Sequence, residues 1–486
     1  MIRITLLYML VLFFCGYAFK DWYKSLCVLI ALMAVVEHPD MPKTILGIQG
    51  LNLWNLLLIF VVMGFLGKKG EENLKWEMSK FLTLLLWCYL GFVLVGFGRL
   101  ISDLSVVNSY QLFVGREALT TKDVISERLI NTLKFMAPAA LVFYGCNSEE
   151  RMRLTMAAIL IVYFLIAIQV IRAMPVMALV DGGGDKLTRL SLKIMNKEVG
   201  FHRVDVSMML AGGSWAIFSV RMLMPSKTKA LFIWLASFLT FFGQALTGGR
   251  TGYGTWGVIG LIVGLFKWRK LLVLGPIFII VVVMLVPATR DRMMQGFTED
   301  SVDTNEMLEE EGIDTAQEGQ PNWYTITAGR SVIWPYVFEK IDENPWWGHG
   351  REAMQSTGIS EYLWEYLHEG FPHPHNAYLQ WTLDNGYIAL AVVLFFYLYA
   401  IKASLSIFRD KRSDYFTAVG GIAFSLIAAH LIASVGSQSF YPRESAVMML
   451  CAMFLMLRLS VQRKKMDKKF PDTRTTQEVD ERLWLN

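Results

Sequence analysis

The chain is 486 residues long, and 54% of its residues are apolar on a count that includes tyrosine but not glycine. Counting glycine in and tyrosine out gives about 58%, where soluble domains have roughly 45 to 50%, and the charged share of 18% is also low. These values disfavour a soluble globular enzyme. The chain has 31 Phe, 15 Trp and 18 Tyr, which is more apolar surface than an unfolded segment tolerates in water, so disordered and collagen-like structures are excluded as well.

Thirteen apolar runs follow one another along the chain. A helix that crosses the hydrocarbon layer needs about 20 mostly apolar residues, because its backbone polar groups must be satisfied within the segment. In chain order the runs lie near residues 4–19, 25–37, 52–67, 81–98, 129–146, 154–171, 204–222, 230–249, 251–266, 271–289, 385–401, 415–442 and 444–457. They predict an all-α, polytopic membrane protein of about 12–13 transmembrane helices with one large outer-face loop.

The distribution of lysine and arginine predicts the orientation of these helices. Alternate loops hold 23 Lys and Arg in 57 residues, whereas the opposite set holds 18 in about 177. Because basic loops stay in the cytoplasm, the first set, which includes the basic segment 458–469, is predicted to be cytoplasmic. The loops at about 99–128, 172–203 and 288–375 then lie on the outer face. Residues 4–37 leave the N-terminal side undecided, since they predict either a helical hairpin or one broken span.

The chain therefore divides into four predicted regions. Residues 1–287 form N-terminal transmembrane helices with short loops, and residues 288–375 form the large outer loop. Residues 376–460 form C-terminal transmembrane helices, and residues 461–486 form a cytoplasmic tail. The net charge of +4 comes largely from the cytoplasmic loops and the RKKMDKK segment. We interpret this segment as a membrane-lipid contact and not as a nucleic-acid site.

The large outer loop has two compositionally different parts. Residues 293–329 contain nine acidic residues and neither lysine nor arginine, but they lack the D-x-D-x-D-G spacing of a calcium loop. We interpret this part as a solvated insertion. After it, GRSVIWPYVFEKIDENPWWGHGREAM and HEGFPHPHNAYLQWTLDNGYIALAVVL are rich in aromatic residues, Gly, Pro, Arg and His. An interfacial aromatic belt would account for Trp334, Trp346 and Trp347. Candidates for stacking on sugars, with belt or loop packing as the alternative, are Trp346, Trp347, Tyr362 and Trp364.

Three arginines and two histidines are predicted to share the outer face. Arg203 stands at the entrance of the run near residue 204, Arg250 lies in the hairpin LTGGRTGYG, and Arg330 begins the aromatic part of the loop. His373 and His375 precede a predicted helix. Guanidinium groups hold phosphate and pyrophosphate oxygens through several fixed donors, and imidazole exchanges a proton near neutral pH. The set therefore indicates a site for a phosphorylated ligand with an acid–base group.

Each of these residues also has a structural interpretation. An arginine at a helix end commonly extends its charged group to the interface, and Arg203 with Asp205 would form an ordinary ion pair. A histidine before a helix is also a plausible cap. The combination on one face favours the functional interpretation over these separate ones.

The motifs that carry these residues resemble those of the O-antigen ligase/polymerase superfamily of bacterial membrane glycosyltransferases. GRSVIWPYVFEKIDENPWWGHG resembles its G-R, W and P-x-x-G-x-G run. HNAYLQWTLDNGYIALAVVL is similar to its H-N-x-x-L segment followed by an acidic residue, x, Gly and an apolar helix, with Asp384 where glutamate is more usual. LTGGRTGYG resembles its S-R or G-R hairpin, with Gly249 where serine is common. The motifs cover roughly residues 245–400, about a third of the chain.

The resemblance implies a GT-C-like, multi-pass enzyme of the bacterial inner membrane whose active site faces the periplasm. The implied reaction is an inverting transfer of a glycan from undecaprenyl pyrophosphate to an acceptor hydroxyl, without metal or other cofactor. In a ligase, the acceptor hydroxyl belongs to lipid A core. Adjacency to Asn376 favours His375 as the catalytic imidazole. The pyrophosphate-binding residues implied are Arg250, Arg203 and Arg330, with the supporting residues His373, Asn376 and Asp384.

Other functions stay open at this point. A polymerase of the same superfamily would pass the glycan to another lipid-linked repeat unit in O-antigen or exopolysaccharide synthesis, and related enzymes glycosylate proteins. A polysaccharide or lipid-linked sugar transporter is less favoured, because no convincing internal repeat is present. A scaffold protein would leave the arginines and histidines unexplained. The expected partners are the lipid-linked glycan donor, the lipid A core or glycan acceptor, and membrane lipids.

Overall fold

The protein is all-helical, as predicted. The computed structural model describes residues 2–45, 47–48, 50–179, 183–294, 327, 330–367, 371–436, 439–471 and 476–484. Within these residues the backbone forms helices and no β-strand, apart from one isolated bridge between Ile45 and Ile48. The acidic residues of the predicted solvated insertion lie outside the described residues.

The N-terminal half forms helices over every apolar run predicted there. The α-helices are α1 (Ile2–Tyr17), α2 (Trp22–Ala31), α3 (Leu53–Lys68), α4 (Lys80–Ser102), α5 (Leu104–Phe113), α6 (Thr121–Asp123), α7 (Ile130–Lys134), α8 (Ala137–Gly145), α9 (Glu149–Ala173), α10 (Gly184–Ile194), α11 (Arg203–Ser219) and α12 (Lys227–Leu246). Short 3₁₀ and π segments lie between some of them, at Leu32–Ala34, Val124–Leu129, Val176–Leu179, Met195–Val199 and Val220–Leu223.

The C-terminal half continues the same pattern. Its α-helices are α13 (Arg250–Phe266), α14 (Leu271–Leu285), α15 (Pro287–Met294), α16 (Arg330–Glu343), α17 (Ala353–Ser356), α18 (Ile359–Leu367), α19 (Ala377–Arg409), α20 (Asp414–Ala433), α21 (Val447–Lys469) and α22 (Thr476–Arg482), with a 3₁₀ turn at Glu444–Ala446. Helix α21 runs through residue 460, where the predicted cytoplasmic tail begins. The tail then folds back, since Val479 and Leu483 are buried and Asp480 accepts a hydrogen bond from Ser413 Oγ at 2.5 Å.

Seven helices within the described residues are long and apolar enough to cross a membrane. They are Lys80–Ser102, Glu149–Ala173, Arg203–Leu223, Lys227–Leu246, Ala377–Arg409, Asp414–Ala433 and Glu444–Lys469. The remaining predicted runs form shorter apolar helices. The polytopic architecture is therefore confirmed, and the number of twelve or thirteen crossings stays a prediction.

Helices α11, α20 and α21 form the centre of the bundle. More than four-fifths of the apolar stretch of each is buried, compared with 28% for α12 at the periphery. Small residues allow these helices to approach closely: a Cβ on Gly212 would lie 2.7 Å from the Cβ of Ala429. The middle of α11, the helix that begins at Arg203, is thus held closely against α20.

A small second core supports the segment that follows the acidic insertion. Helices α16–α18 and residues 371–376, here called the outer unit after the predicted outer loop, pack around apolar residues that include Ile333, Val337 and Leu363. The glycines of the P-x-x-G-x-G motif join this unit to α19. Gly348 has a φ of +63°, and a Cβ there would lie 2.5 Å from the backbone nitrogen of Asn385. These glycines permit a close backbone contact that larger residues would block.

Candidate active site

The hairpin that carries Arg250 is as tight as predicted. Helix α12 ends at Leu246 and α13 begins at Arg250, with Gly248 at a φ of +63° between them. The carbonyl oxygen of Gly248 accepts hydrogen bonds from Arg203 Nη1 at 3.2 Å and from Arg292 Nε at 3.1 Å. The turn therefore holds Arg203 of α11 beside the first residue of α13.

The structure brings the three predicted arginines together. The pKa of Arg330 is lowered to about 10. Burial is the main cause, and the positive charges of Arg250 and Arg203 add to it. Arg203 also has an Nε atom that is buried without a hydrogen-bond partner among the described residues. Guanidinium groups that depress one another's ionisation are well placed for a strongly anionic ligand, which would relieve their mutual repulsion.

The two histidines lie against each other at the entrance of α19. Their ring centroids are 4.2 Å apart, and the backbone N–H of His375 donates a hydrogen bond to His373 Nδ1 at 3.3 Å. His375 has a φ of +50°, in the left-handed region that non-glycine residues rarely adopt. Within the described part of the chain no hydrogen bond engages a ring nitrogen of His375. That imidazole is therefore available to a ligand.

Both imidazoles are uncharged at neutral pH. Burial, His373 and Arg330 lower the pKa of His375 to about 3. Burial, Arg351 and Arg443 lower the pKa of His373 to about 4. The charge of Arg330 acts on both rings, so the histidines and arginines belong to one arrangement. We call Arg203, Arg250, Arg330, His373 and His375 the arginine–histidine cluster.

Residues 235–394 match the sequence model of the O-antigen ligase family. The match covers about a third of the chain. No curated protein matches the chain. The matched segment includes every member of the arginine–histidine cluster except Arg203, and it supports a ligase- or polymerase-like enzyme that acts on lipid-linked glycans.

The predicted supporting residues Asn376 and Asp384 have structural partners. Asn376 caps α19, because its Oδ1 accepts hydrogen bonds from the N–H groups of Tyr378 and Leu379 at 2.9 and 3.2 Å. Asp384 is buried and pairs with Arg351 at 3.2 Å, and it also accepts a hydrogen bond from Tyr441 at 3.0 Å. Asn376 therefore fixes the start of the helix next to His375, and Asp384 fixes Arg351.

Arg351 and Arg443 extend the cluster, and neither was among the residues predicted from the sequence. Burial opposes their charged forms, but Glu352 and Asp384 raise the pKa of Arg351, and Asp205 and Glu444 raise the pKa of Arg443. The positive charges of both arginines lower the pKa of His373. Asp205 pairs with Arg443 at 2.5 Å and not with Arg203, so the ion pair considered from the sequence is replaced by a long-range one.

A usable sequence signal existed for Arg443. Arg443 stands between the apolar runs 415–442 and 444–457, beside Glu444, much as Arg250 stands between the runs 230–249 and 251–266. Arg292 carried a weaker signal, since it lies just before the acidic insertion. The structure buries it and turns its Nε to the Gly248 carbonyl.

Two large apolar cavities lie away from the cluster. One of about 1300 Å³ is lined by residues of α1, α2, α9, α11 and α12, and one of about 440 Å³ lies among α11–α14. Their apolar linings suit lipid chains more than sugars or phosphates. Among the described residues, no group of three or more His, Cys, Asp or Glu is arranged to hold a metal ion.

Proposed function

We propose that this protein transfers a glycan from undecaprenyl pyrophosphate to an acceptor hydroxyl at the periplasmic face of the bacterial inner membrane. The observation that carries this proposal is the meeting of Arg203, Arg250 and Arg330 with the uncharged His375 at one end of the bundle. An anion-binding group and a proton acceptor in one place are the two requirements of a displacement at a sugar phosphate.

The arginines would bind the pyrophosphate and stabilise it as it leaves. Guanidinium groups form several charge-assisted hydrogen bonds with phosphate oxygens. The N-terminus of α13, whose N-cap residue is Gly249, adds the positive end of a helix dipole. Because these donors are already in place before the reaction, they favour the negative charge that develops in the transition state.

His375 would accept the proton of the attacking hydroxyl. The acceptor oxygen forms a bond to the anomeric carbon while the bond from that carbon to the pyrophosphate oxygen breaks. The bonding electron pair leaves with the pyrophosphate, the hydroxyl proton moves to the imidazole, and a single displacement inverts the anomeric configuration. A bound pyrophosphate would offset the charges of the surrounding arginines and so raise the pKa of His375, which makes it a better base in the complex.

His373 has a positioning role in this proposal. Its Nδ1 accepts the His375 backbone N–H, so one of its two ring nitrogens is already engaged. Helix α16 also holds this turn, because Trp334 Nε1 donates to the Pro374 carbonyl at 3.1 Å. These two contacts keep His375 in its unusual backbone conformation and aim its ring.

The acceptor is proposed to be lipid A core, as in an O-antigen ligase, with polymerisation of lipid-linked repeat units as the alternative. A deletion strain analysed for surface glycans by gel electrophoresis distinguishes the two. Loss of all long chains from the core, with accumulation of full-length lipid-linked polymer, supports the ligase. A single repeat unit on the core supports the polymerase, and unchanged glycans would refute both.

A further inference from the structure

The outer unit carries three neighbouring tyrosines, two of which are stacked and the third tilted by 52° to its neighbour. The rings of Tyr336 on α16 and Tyr362 on α18 have centroids 5.2 Å apart. Tyr362 and Tyr366, one helical turn apart, stack at 5.9 Å with planes within 6° of parallel. We call these three residues the tyrosine ladder. Tyr362 and Tyr366 are 46% and 51% exposed, so much of their ring surface is open to solvent.

The fold does not need these exposed rings for its core. Helix α18 contributes Ile359 and Leu363 to the core of the outer unit, and these side chains are buried. The helix is also fixed by Ser360, whose Oγ donates to the Phe371 carbonyl at 2.7 Å. Tyr336 is partly buried against this core and supports Tyr362, whereas Tyr362 and Tyr366 present two parallel rings to solvent. Exposed parallel aromatic rings are typical of a ligand-binding surface.

The charges around the ladder select the kind of ligand. Glu339, Glu361 and Glu365 are exposed on the same two helices. Carboxylates accept hydrogen bonds from hydroxyl groups, and aromatic rings cover the apolar C–H face of a pyranose. Anionic lipid head groups and acidic polysaccharides would be repelled by these carboxylates. The composition therefore fits uncharged sugars.

Trp346 and Trp347 provide a contrast on the same end of the molecule. They are 61% and 56% exposed, but they lie beside the kink of the apolar helix α19, where the Tyr387 N–H donates to the Pro345 carbonyl. That position next to a spanning helix is the one expected for an interfacial aromatic belt. The tyrosine ladder lies instead on helices of the outer unit that are flanked by carboxylates.

The ladder is close to the arginine–histidine cluster. Tyr336 follows Arg330 by six residues on α16, which is about 9 Å along a helix axis. Phe371, to which α18 is bonded, has its ring centroid 6.3 Å from that of His375. A glycan whose first sugar is at the cluster therefore has the ladder within reach of its following sugars.

We infer that the tyrosine ladder is a binding subsite for uncharged pyranose residues of the glycan chain, distinct from the pyrophosphate site. The inference rests on the proposed function for the identity of the chain. Donor and acceptor glycans offer the same sugar chemistry to the ladder, and the experiment below separates them.

The direct test is binding of neutral oligosaccharides to the full-length protein in detergent. Gluco-, galacto- and manno-hexaose, which carry neither lipid nor pyrophosphate, are titrated by saturation-transfer-difference NMR, with an acidic galacturonic acid oligomer for comparison. We expect at least one neutral hexaose to bind, and the Tyr362→Ala/Tyr366→Ala variant to bind it roughly tenfold more weakly. Tyr362→Phe/Tyr366→Phe retains the rings and should keep most of the affinity.

Phe338→Ala is the matched control, because Phe338 is an exposed ring on α16, about 200° around the helix from Tyr336. It should bind as the unchanged protein does. No binding of any neutral hexaose, equal binding by the alanine double variant, or equally strong binding of the acidic oligomer would overturn the inference.

A transfer assay then assigns the subsite to donor or acceptor. If the ladder holds the donor, the alanine double variant raises the KM for donors with several repeat units and leaves kcat unchanged. If it holds the acceptor, the acceptor KM rises instead. Unchanged KM values for both substrates would overturn the role. The oligosaccharide titration needs neither Arg250 nor His375. A wrong subsite would therefore appear as absent oligosaccharide binding, whereas a wrong reaction would appear as absent glycan transfer with oligosaccharide binding retained.

Discussion

Asp205 in the first turn of α11 and Arg443, which precedes α21, form an ion pair of 2.5 Å across 238 residues of sequence. The pair joins the two helices at the end of the bundle that carries the arginine–histidine cluster. Asp205 is almost fully buried, so loss of its cationic partner is costly.

We therefore expect Arg443→Gln to lower the free energy of unfolding by roughly 3 kcal/mol and to reduce glycan transfer. Thermal unfolding in detergent and a transfer assay measure the two effects. Asp205→Asn/Arg443→Gln serves as the control, since it removes the buried carboxylate charge together with its cationic partner and should recover part of the stability. Additive losses in the double variant would show that the two residues act independently.

Arg250→Lys keeps the positive charge but loses the planar set of donors. We expect turnover to fall on the order of a hundredfold, because a lysine cannot form the paired hydrogen bonds of a guanidinium with phosphate oxygens. Arg290→Lys is the matched control, as Arg290 is 54% exposed and pairs with its neighbour Asp291. Normal turnover in Arg250→Lys would indicate a structural arginine.

His375→Ala should abolish transfer while the protein still inserts in the membrane, because the proposed proton acceptor is lost. His373→Ala should keep measurable activity with a lowered kcat, since it removes only the acceptor of the His375 N–H. The measurement is transfer by the purified variants at equal amounts of folded protein. The role assignment of the two rings is reversed if His373→Ala is dead and His375→Ala is active.

The pH dependence of kcat/KM gives a further test. The pKa of His375 is lowered from its ordinary 6.5 to about 3, so the neutral, proton-accepting form persists as the pH falls through 6.5. We expect kcat/KM to show no loss from histidine protonation between about pH 8 and 5, and to decline only in more acidic solution. A tenfold loss per pH unit that begins near pH 6.5 would contradict the buried, cation-flanked environment of this ring.

Gly386→Ala tests the contact between the outer unit and α19. Gly386 has a φ of +81°, and a Cβ there would collide with the backbone of Trp346 and Trp347, the nitrogen of Trp347 lying 2.5 Å away. We expect a clear loss of thermal stability together with loss of activity, because the segment that packs against Asp384 is displaced. Gly254→Ala is the control, since a Cβ at that helical glycine meets nothing within 4 Å. Equal melting temperatures for the two variants would refute this account.

Much of the fold and part of the site follow from local sequence. Apolar runs of nearly membrane length form helices wherever they occur, because the backbone has no other way to satisfy its hydrogen bonds in lipid. The hairpin at Arg250 was predictable since two glycines and a charge interrupt two such runs. The charge asymmetry of the loops likewise grouped Arg203, Arg250, Arg330 and the histidines on one face.

Only the tertiary structure decided how these residues are held. The partner of Asp205 is Arg443 and that of Asp384 is Arg351, and both are set by which helices pack together and not by sequence spacing. The low pKa of His375 likewise comes from burial and from charges on other segments. Hydrophobic runs depend on neighbours in the chain, whereas ion pairs and pKa values depend on distances between remote segments, which no local pattern records.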